Sequence, residues 1–276
     1  KLRELGLHPD IIICRTRYDL TNEVKDKIAL FCNIEKSAVI ESKDAETIYE
    51  VPCLMKNQNL DKVVLRKLKT RTKKECKLQN WNNFLKKLKN PKNETNIALV
   101  GKYIELKDSY KSIVESLYHA GVKNNCKINI KWIHAENLEK SKINNILNNV
   151  NGVIVAPGFG DRGIEGKIKA IKYVRENKIP FFGICLGMQC AVIEFSRNIL
   201  NLKSANSTEF NKETKYPVID LMEKQKNILY KGGTMRLGSY KCEIKKESKV
   251  FKIYNQTNIS ERHRHRYEFN NYFLSE

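Results

Sequence analysis

Cys185 stands between Gly183 and Gly187 in the run Gly-Ile-Cys-Leu-Gly, where an apolar stretch gives way to a helical pattern. Turns favour Asn, Asp, Ser or Pro beside Gly, so a thiol at this point asks for a chemical reason. G-x-C-x-G has the form of a nucleophile elbow, a strand-to-helix turn whose small flanking residues let a strained backbone present a side chain. A thiol at the start of a helix feels the positive end of the dipole, which favours the thiolate. The N–H of Leu186 is placed to meet an oxyanion formed beside the sulfur, and Gln189, one turn on, shares that face. On spacing alone, a structural cysteine beside a sheet core remains the other reading.

Two further stretches carry usable chemistry. Ala156-Pro-Gly-Phe-Gly-Asp-Arg-Gly163 is a second glycine-rich turn. Its glycines permit the close backbone approach and positive φ of an anion nest or oxyanion donor, although an ordinary turn fits equally well. It matches neither the G-x-x-x-x-G-K-S/T loop nor the G-x-G-x-x-G fingerprint. From Ser260 to Asn271 the chain alternates with period two. If extended, Arg262, Arg264 and Arg266 share one face and His263 and His265 the other. Three guanidiniums together suit a carboxylate or phosphate, and a solvated edge strand is the equal alternative.

The elements that must position these residues follow a regular order. Near the start, PDIIICRT predicts a short buried strand, TNEVKDKIALFC a helix opening on Thr21, and SAVIESKDAETIYEVPCLM a strand, a loop and a short helix. That opening is too short and strand-poor to close a core alone. From Thr95 strands and helices alternate. NIALVGKY, CKINIKWIHA, VNGVIVAP and IPFFGI read as strands. SYKSIVESLYHAG, NLEKSKINNILNN, GIEGKIKAIKYVREN and LGMQCAVIEFSRNIL read as helices. Repeated β-α-β units imply an α/β fold, a parallel sheet with helices on both faces. Ligands of such sheets sit at the carboxyl ends of strands, where both glycine-rich turns fall.

Composition bounds the possibilities. At 276 residues and 41% hydrophobic, the chain has enough for one large or two ordinary domains. No apolar run approaches the ~20 residues of a membrane-spanning helix, and KLRELGLHPD has no apolar signal core. Eight irregularly spaced cysteines read as reduced thiols of a cytoplasmic protein, without the spacing of a zinc or other metal site. Lys and Arg number 51 against 31 Asp and Glu, a charge of +20 that attracts polyanions. Between Asp61 and Lys92, twelve basic residues stand against two acids, a net of +10. A solvated linker explains this better than a nucleic-acid groove, because the only aromatics nearby are Trp81 and Phe84.

Taken in order, GICLGMQ, NSTEF at Asn206–Phe210, GGTMRLG at Gly232–Gly238 and ERHRHRYEFNN resemble the glutamine amidotransferase domain of the CTP synthase family. The opening LGLHPDIIICRT and the stretch from EVKDKIALF to YEVP resemble the end of that family's synthetase (amidoligase) domain. The resemblance implies a flavodoxin-like class I amidotransferase fold at 95–276, a basic linker at 71–94, and at 1–70 the end of a P-loop-type α/β domain. It implies ATP-dependent amination of UTP to CTP with nitrogen from glutamine. Cys185 is then the nucleophile, and Gly158 and Leu186 supply oxyanion N–H groups. Glutamine is held by Leu186, Gly187, Met188 and Gln189, by Glu209 at its α-ammonium and by Arg266 at its α-carboxylate. Lys27 matches a UTP/CTP contact, and Lys43, Asp44 and Ala45 a stretch at the ATP site. The family's Mg²⁺ accompanies ATP, GTP activates glutamine hydrolysis, and the active form is a homotetramer.

Three features depart from the family pattern. Pro157 replaces a glycine of the usual P-G-G-F-G turn, removing one N–H. The family's His-Pro-Glu segment, source of the base, falls beyond Glu276. The P-loop and most of the UTP site fall before Lys1. A fragment that makes no CTP and turns glutamine over poorly is therefore the expectation. The other function classes are a separate glutaminase subunit serving another synthetase, and a non-catalytic nucleic-acid-binding module.

Overall fold

The computed structural model describes residues 3–70, 72, 75–226 and 233–275. Gly232 of the GGTMRLG motif and Arg71, Lys73 and Lys74 of the basic stretch lie outside the described residues. The chain divides into two compact units, residues 1–92 with 121–125, and 93–120 with 126–276.

In the first unit, β1 (Ile12–Thr16) pairs in parallel with β2 (Val39–Lys43). Between them α1 (Asn22–Cys32) is capped by Thr21, whose Oγ1 accepts the Val24 N–H at 3.3 Å. Side-chain capping of a free N–H is what fixes the start of this helix. The strand expected to be buried is covered on one side only: Ile13 is 53% exposed, and Leu30 on α1 is 80% exposed. Two strands cannot bury both of their faces. Three helices follow, α2 (Val51–Asn57), α3 (Leu60–Lys67) and α4 (Gln79–Lys89). The last lies inside the stretch read as a linker. Its Trp81 donates Nε1–H to the Tyr49 carbonyl at 2.7 Å, and the Phe84 ring packs 5.1 Å from that of Tyr49. Both aromatics of the basic stretch are thus engaged in packing.

The second unit carries the parallel sheet. Its strands are β3 (Asn93–Gly101), β4 (Cys126–His134), β5 (Gly152–Val155) and β6 (Phe181–Gly183), in the order β4-β3-β5-β6. All three pairings are parallel. Numbered from the first of the four, this is the 2-1-3-4 order of doubly wound flavodoxin-like sheets. The intervening helices are α5 (Lys111–Lys123), α6 (Ala135–Lys140), α7 (Ile143–Ile146), α8 (Ile164–Glu176) and α9 (Leu186–Asn198). Alternation along the strands builds two cores. Ala98, Val100, Val153 and Val155 face one side with Ile168 and Ile171 of α8 and Ile193 of α9. Leu99 and Ile154 face the other, with Tyr110, Trp132 and Ile113 of α5. One predicted helix, NLEKSKINNILNN, is two short ones, α6 and α7, broken at Ser141 where the backbone is extended.

Beyond α9 the chain adds β7 (Ala205–Ser207), β8 (Tyr216–Leu221), β9 (Arg236–Glu243), α10 (Lys249–Tyr254), β10 (Asn258–Arg264) and β11 (Tyr267–Phe269). The strands form a sheet in the order β11-β8-β7, against which α9 packs, and an antiparallel β9–β10 pair.

Helices α8 and α9 are tied by an ion pair at the edge of the core. Glu194, 1% exposed, accepts from Arg175 Nε at 3.1 and 3.0 Å and from its NH2 at 2.7 Å. Removing one partner leaves the other charge buried. Arg175→Ala is therefore expected to destabilise the fold by about 2–4 kcal/mol, somewhat below the ~3–5 of a fully buried pair because the arginine is partly wet. Arg175→Met combined with Glu194→Leu is expected to recover most of that. Denaturant unfolding of both variants measures it, and equal losses in the two would contradict the buried-charge account.

Candidate active site

The elbow at Cys185 is built by close approach of α9 to the end of β5. The Ile184 N–H donates to the Val155 carbonyl at 3.0 Å. A Cβ on Gly187 would fall 2.1 Å from that same carbonyl oxygen, and one on Gly183 2.6 Å from the Gly187 carbonyl carbon. Only glycine fits at either position. Cys185 between them is forced to φ 53° and ψ −109°, a conformation that costs on the order of 1–3 kcal/mol and that clusters at functional sites. The thiol accepts a hydrogen bond from the Leu186 N–H, which pulls its pKa down, but burial outweighs this and holds it above the ordinary thiol value. The net shift is thus upward, opposite in sign to the one the helix N-terminus alone would give, because desolvation of the sulfur exceeds the help of one N–H.

The second glycine-rich turn faces the elbow. A Cβ on Gly158 would lie 3.4 Å from Leu186 Cδ2, 3.5 Å from Lys167 Nζ and 4.0 Å from Lys102 Cδ. The Ala156 N–H donates to Val100 O at 2.9 Å, and the Ala156 carbonyl accepts from Lys167 Nζ at 3.0 Å. Further on, the Phe159 carbonyl accepts from Lys102 Nζ, and the Gly160 N–H donates to Glu209 Oε1 at 3.0 Å. Gly160 has φ 70°, natural for glycine. Among the described residues, the N–H groups of Gly158 and Phe159 have no protein partner.

One cleft gathers Gly158, Phe159, Cys185, Gln189, Glu209, Met235, His265, Arg266 and Tyr267. Arg266 donates to Gln225 Oε1 at 2.7 Å and Thr234 Oγ1 at 3.0 Å. Gln189 donates Nε2–H to the Tyr267 carbonyl at 2.7 Å, which holds β11 to α9. Gly187 is buried in the elbow, and the Met188 side chain lines a separate apolar groove with Val192, Phe195 and Phe273. The three arginines do not share a face. The register shifts between His263 and Arg264, β10 ends there, and Arg266 falls in the break before β11. Arg262 and Arg264 stay exposed while Arg266 turns into the cleft. His265 enters the same cleft, and burial followed by repulsion from His263 pushes its pKa down. Sequence reasoning missed Gln225, Met235, Lys102 and Lys167. Lys167 had a visible signal, being a lysine on the apolar face of α8 between Ile164 and Ile171.

In the first unit, Lys43 is the last residue of β2, and Asp44 and Ala45 follow its carboxyl end. Lys43 is paired with Asp19, and Asp44 with Arg15 at 2.9 Å. Lys27 is exposed on α1.

A thiol on a strained elbow, free N–H groups opposite, and a carboxylate and a guanidinium across one cleft define a class I glutamine amidotransferase. The family model described as "Glutamine amidotransferase class-I" matches residues 105–276, and that described as "CTP synthase N-terminus" matches 1–70. The CTP synthase of Cytophaga hutchinsonii is 60% identical over 275 residues, covering 100% of this chain and 51% of the relative. That of Methanocaldococcus jannaschii is 52% identical over 276 residues, with 98% and 51% covered. A solved structure, the glutaminase domain of Trypanosoma brucei CTPS with bound acivicin, aligns with a TM-score of 0.60 at 38% identity, covering 66% of this chain and 70% of that one. The chain belongs to the CTP synthase family. It spans about half the length of the curated relatives it matches.

Because burial raises the Cys185 pKa, alkylation of Cys185 by iodoacetamide in the absence of substrate is expected to reach half its maximal rate at a higher pH in the folded chain than in the same chain unfolded in urea. Peptide mass spectrometry across a pH series follows Cys185 in both states. A folded-state midpoint at or below the unfolded one would mean that the helix N-terminus outweighs burial.

Proposed function

We propose that this chain is the glutamine-hydrolysing half, with the adjoining end of the synthetase half, of an enzyme that aminates UTP to CTP. The observation that carries the reading is the juxtaposition in one cleft of Cys185 on its strained elbow, Gly158, Glu209 and Arg266. Cys185 Sγ attacks the carboxamide carbon of glutamine, and the oxyanion is met by the N–H groups of Gly158 and Leu186. Collapse breaks the C–N bond, ammonia leaves with the thiol proton, and water hydrolyses the glutamyl thioester. Glu209 takes the α-ammonium and Arg266 the α-carboxylate. Gly187 and Met188 contribute through the backbone, and Gln189 by holding Tyr267. Acid–base work belongs to the family's His-Pro-Glu segment, which the 276 residues do not contain.

The domain reading is 1–70 as the end of the synthetase domain, 71–94 as linker and 95–276 as amidotransferase. Lys27 is assigned to the UTP/CTP nucleotide and Lys43, Asp44 and Ala45 to ATP. Both nucleotides are substrates, Mg²⁺ arriving with ATP. GTP as activator, a homotetramer and a cytoplasmic location complete the proposal. Among the described residues no helix is long and apolar enough to cross a membrane.

Acivicin, the ligand named for the trypanosomal domain, provides the test. It is expected to label Cys185 in a one-to-one ratio, with excess glutamine suppressing the reaction and Cys185→Ala abolishing it. In a polypeptide joining this chain to the remaining synthetase half, Cys185→Ala is expected to lose glutamine-dependent CTP formation and keep amination by free ammonia. Loss of both activities in a folded variant would make the cysteine structural.

A further inference from the structure

Two lysines that the reaction as described does not use grip the glycine-rich turn at its two ends. Lys167 is 0% exposed and Lys102 6%, unusual burial for a side chain that is almost never enclosed without a partner. Neither has a carboxylate within salt-bridge distance among the described residues. Lys167 Nζ instead meets the Ala156 carbonyl at 3.0 Å, and Lys102 Nζ the Phe159 carbonyl. Burial lowers the Lys167 pKa to about 8, which leaves the amine mostly protonated at neutral pH.

The geometry of the turn makes these contacts informative. Ala156 leaves the sheet after its N–H has paired with Val100, so its carbonyl has no ladder partner. The same peptide ends on Pro157, which has no N–H. Its carbonyl is therefore its only polar handle, and Lys167 holds it. At the far end, the 159–160 peptide is fixed on both sides, its carbonyl by Lys102 and its N–H by Glu209 at 3.0 Å. The two peptides in between carry the N–H groups of Gly158 and Phe159, which no protein acceptor takes up among the described residues. With both flanks held at their carbonyls, the intervening donors stay unclaimed in a loop that lines the same cleft as Cys185.

We propose that Lys167, supported by Lys102, is a positioning residue for the oxyanion donors. It fixes the Ala156–Pro157 peptide so that the Gly158 N–H faces the developing charge. The inference rests on the reading of Cys185 as the nucleophile. It extends that reading to residues that touch neither glutamine nor the sulfur's reacting partner.

The test compares two electrophiles at one thiolate. Acivicin reacts by addition and elimination: Sγ bonds to the chlorine-bearing ring carbon, negative charge develops on the ring nitrogen, and chloride departs with the bonding pair. Iodoacetamide reacts by direct displacement of iodide and develops no charge that needs an N–H donor. Both consume the thiolate, so the ratio of their rate constants at Cys185 cancels any change in thiol pKa. In this chain, Lys167→Met is expected to lower the acivicin-to-iodoacetamide ratio about tenfold or more, in line with the value of one oxyanion donor. Half-saturation by acivicin should hold, because Glu209 and Arg266 are untouched. Lys102→Met is expected to lower the ratio too, and it carries the test if Lys167→Met does not fold. Selective labelling of the parent chain with ratios unchanged in the folded variants would overturn the lysine proposal alone. Failure of acivicin to select Cys185 in the parent chain would overturn the nucleophile reading, and this inference with it.

Discussion

The carbonyl of Val155 is the point on which the site turns. It ends β5, accepts the Ile184 N–H, and lies so close to Gly187 that a single added carbon would stand 2.1 Å from it. That contact seats the first turn of α9 directly on the sheet end. It brings the elbow after β6 beside the turn after β5, since these strands are neighbours in register from Val153–Phe181 to Val155–Gly183. The positive φ of Cys185 follows from it. The chain must reverse between two glycines that are themselves pressed against backbone, and the strain is held by the buried packing of Leu186, Cys190 and Ile193. A rigid sheet end thus sets the sulfur's position before any ligand arrives.

Much of this was legible in the sequence, for reasons particular residues make plain. The unbroken apolar run through Ala98, Leu99 and Val100 marks a strand buried on both faces, and the structure splits these residues between two cores. The glycines flanking Cys185 were readable because close backbone approach excludes every other residue. What escaped the sequence was long-range or a balance of opposing effects. By spacing Arg266 continues a row with Arg262 and Arg264, but a bulge and a strand break reorient it, and no local spacing encodes a bulge without glycine. Its partners Gln225 and Thr234 lie 41 and 32 residues away. Burial of the sulfur raises the Cys185 pKa by more than the Leu186 N–H lowers it, and that burial comes from residues far away in the sequence.

Charge in this chain is managed differently at the surface and inside. Most of the excess of lysine and arginine is solvated, where exposed ion pairs contribute little. The buried charges are few and each has a definite partner. Glu194 takes a forked arginine and so fastens α8 to α9, the two helices that frame the elbow. Lys167 lies on the inner face of α8, so this ion pair and the lysine's reach to Ala156 depend on the same helix placement. The packing that aligns α8 therefore also aligns the turn above it.

That dependence bears on how Pro157 is accommodated in the turn. A peptide between ordinary residues can be oriented from its N–H, from its carbonyl, or from both. Proline removes the first option, and the fully buried Ala156 removes solvent as a partner for the second. An orphaned carbonyl in such a place costs about 1–3 kcal/mol, enough to turn the peptide over if rotation could find an acceptor's complement elsewhere. A lysine at 167 closes that route by supplying a charged donor, a stronger bond than a neutral one. Proline then narrows the remaining freedom, since its fixed φ and the extended preference it imposes on Ala156 leave fewer alternatives. The lost N–H belongs to the anchored peptide and not to the one presenting Gly158. The Ala156–Pro157 peptide thus rests on one buried amine at its carbonyl, while the Gly158 N–H is kept.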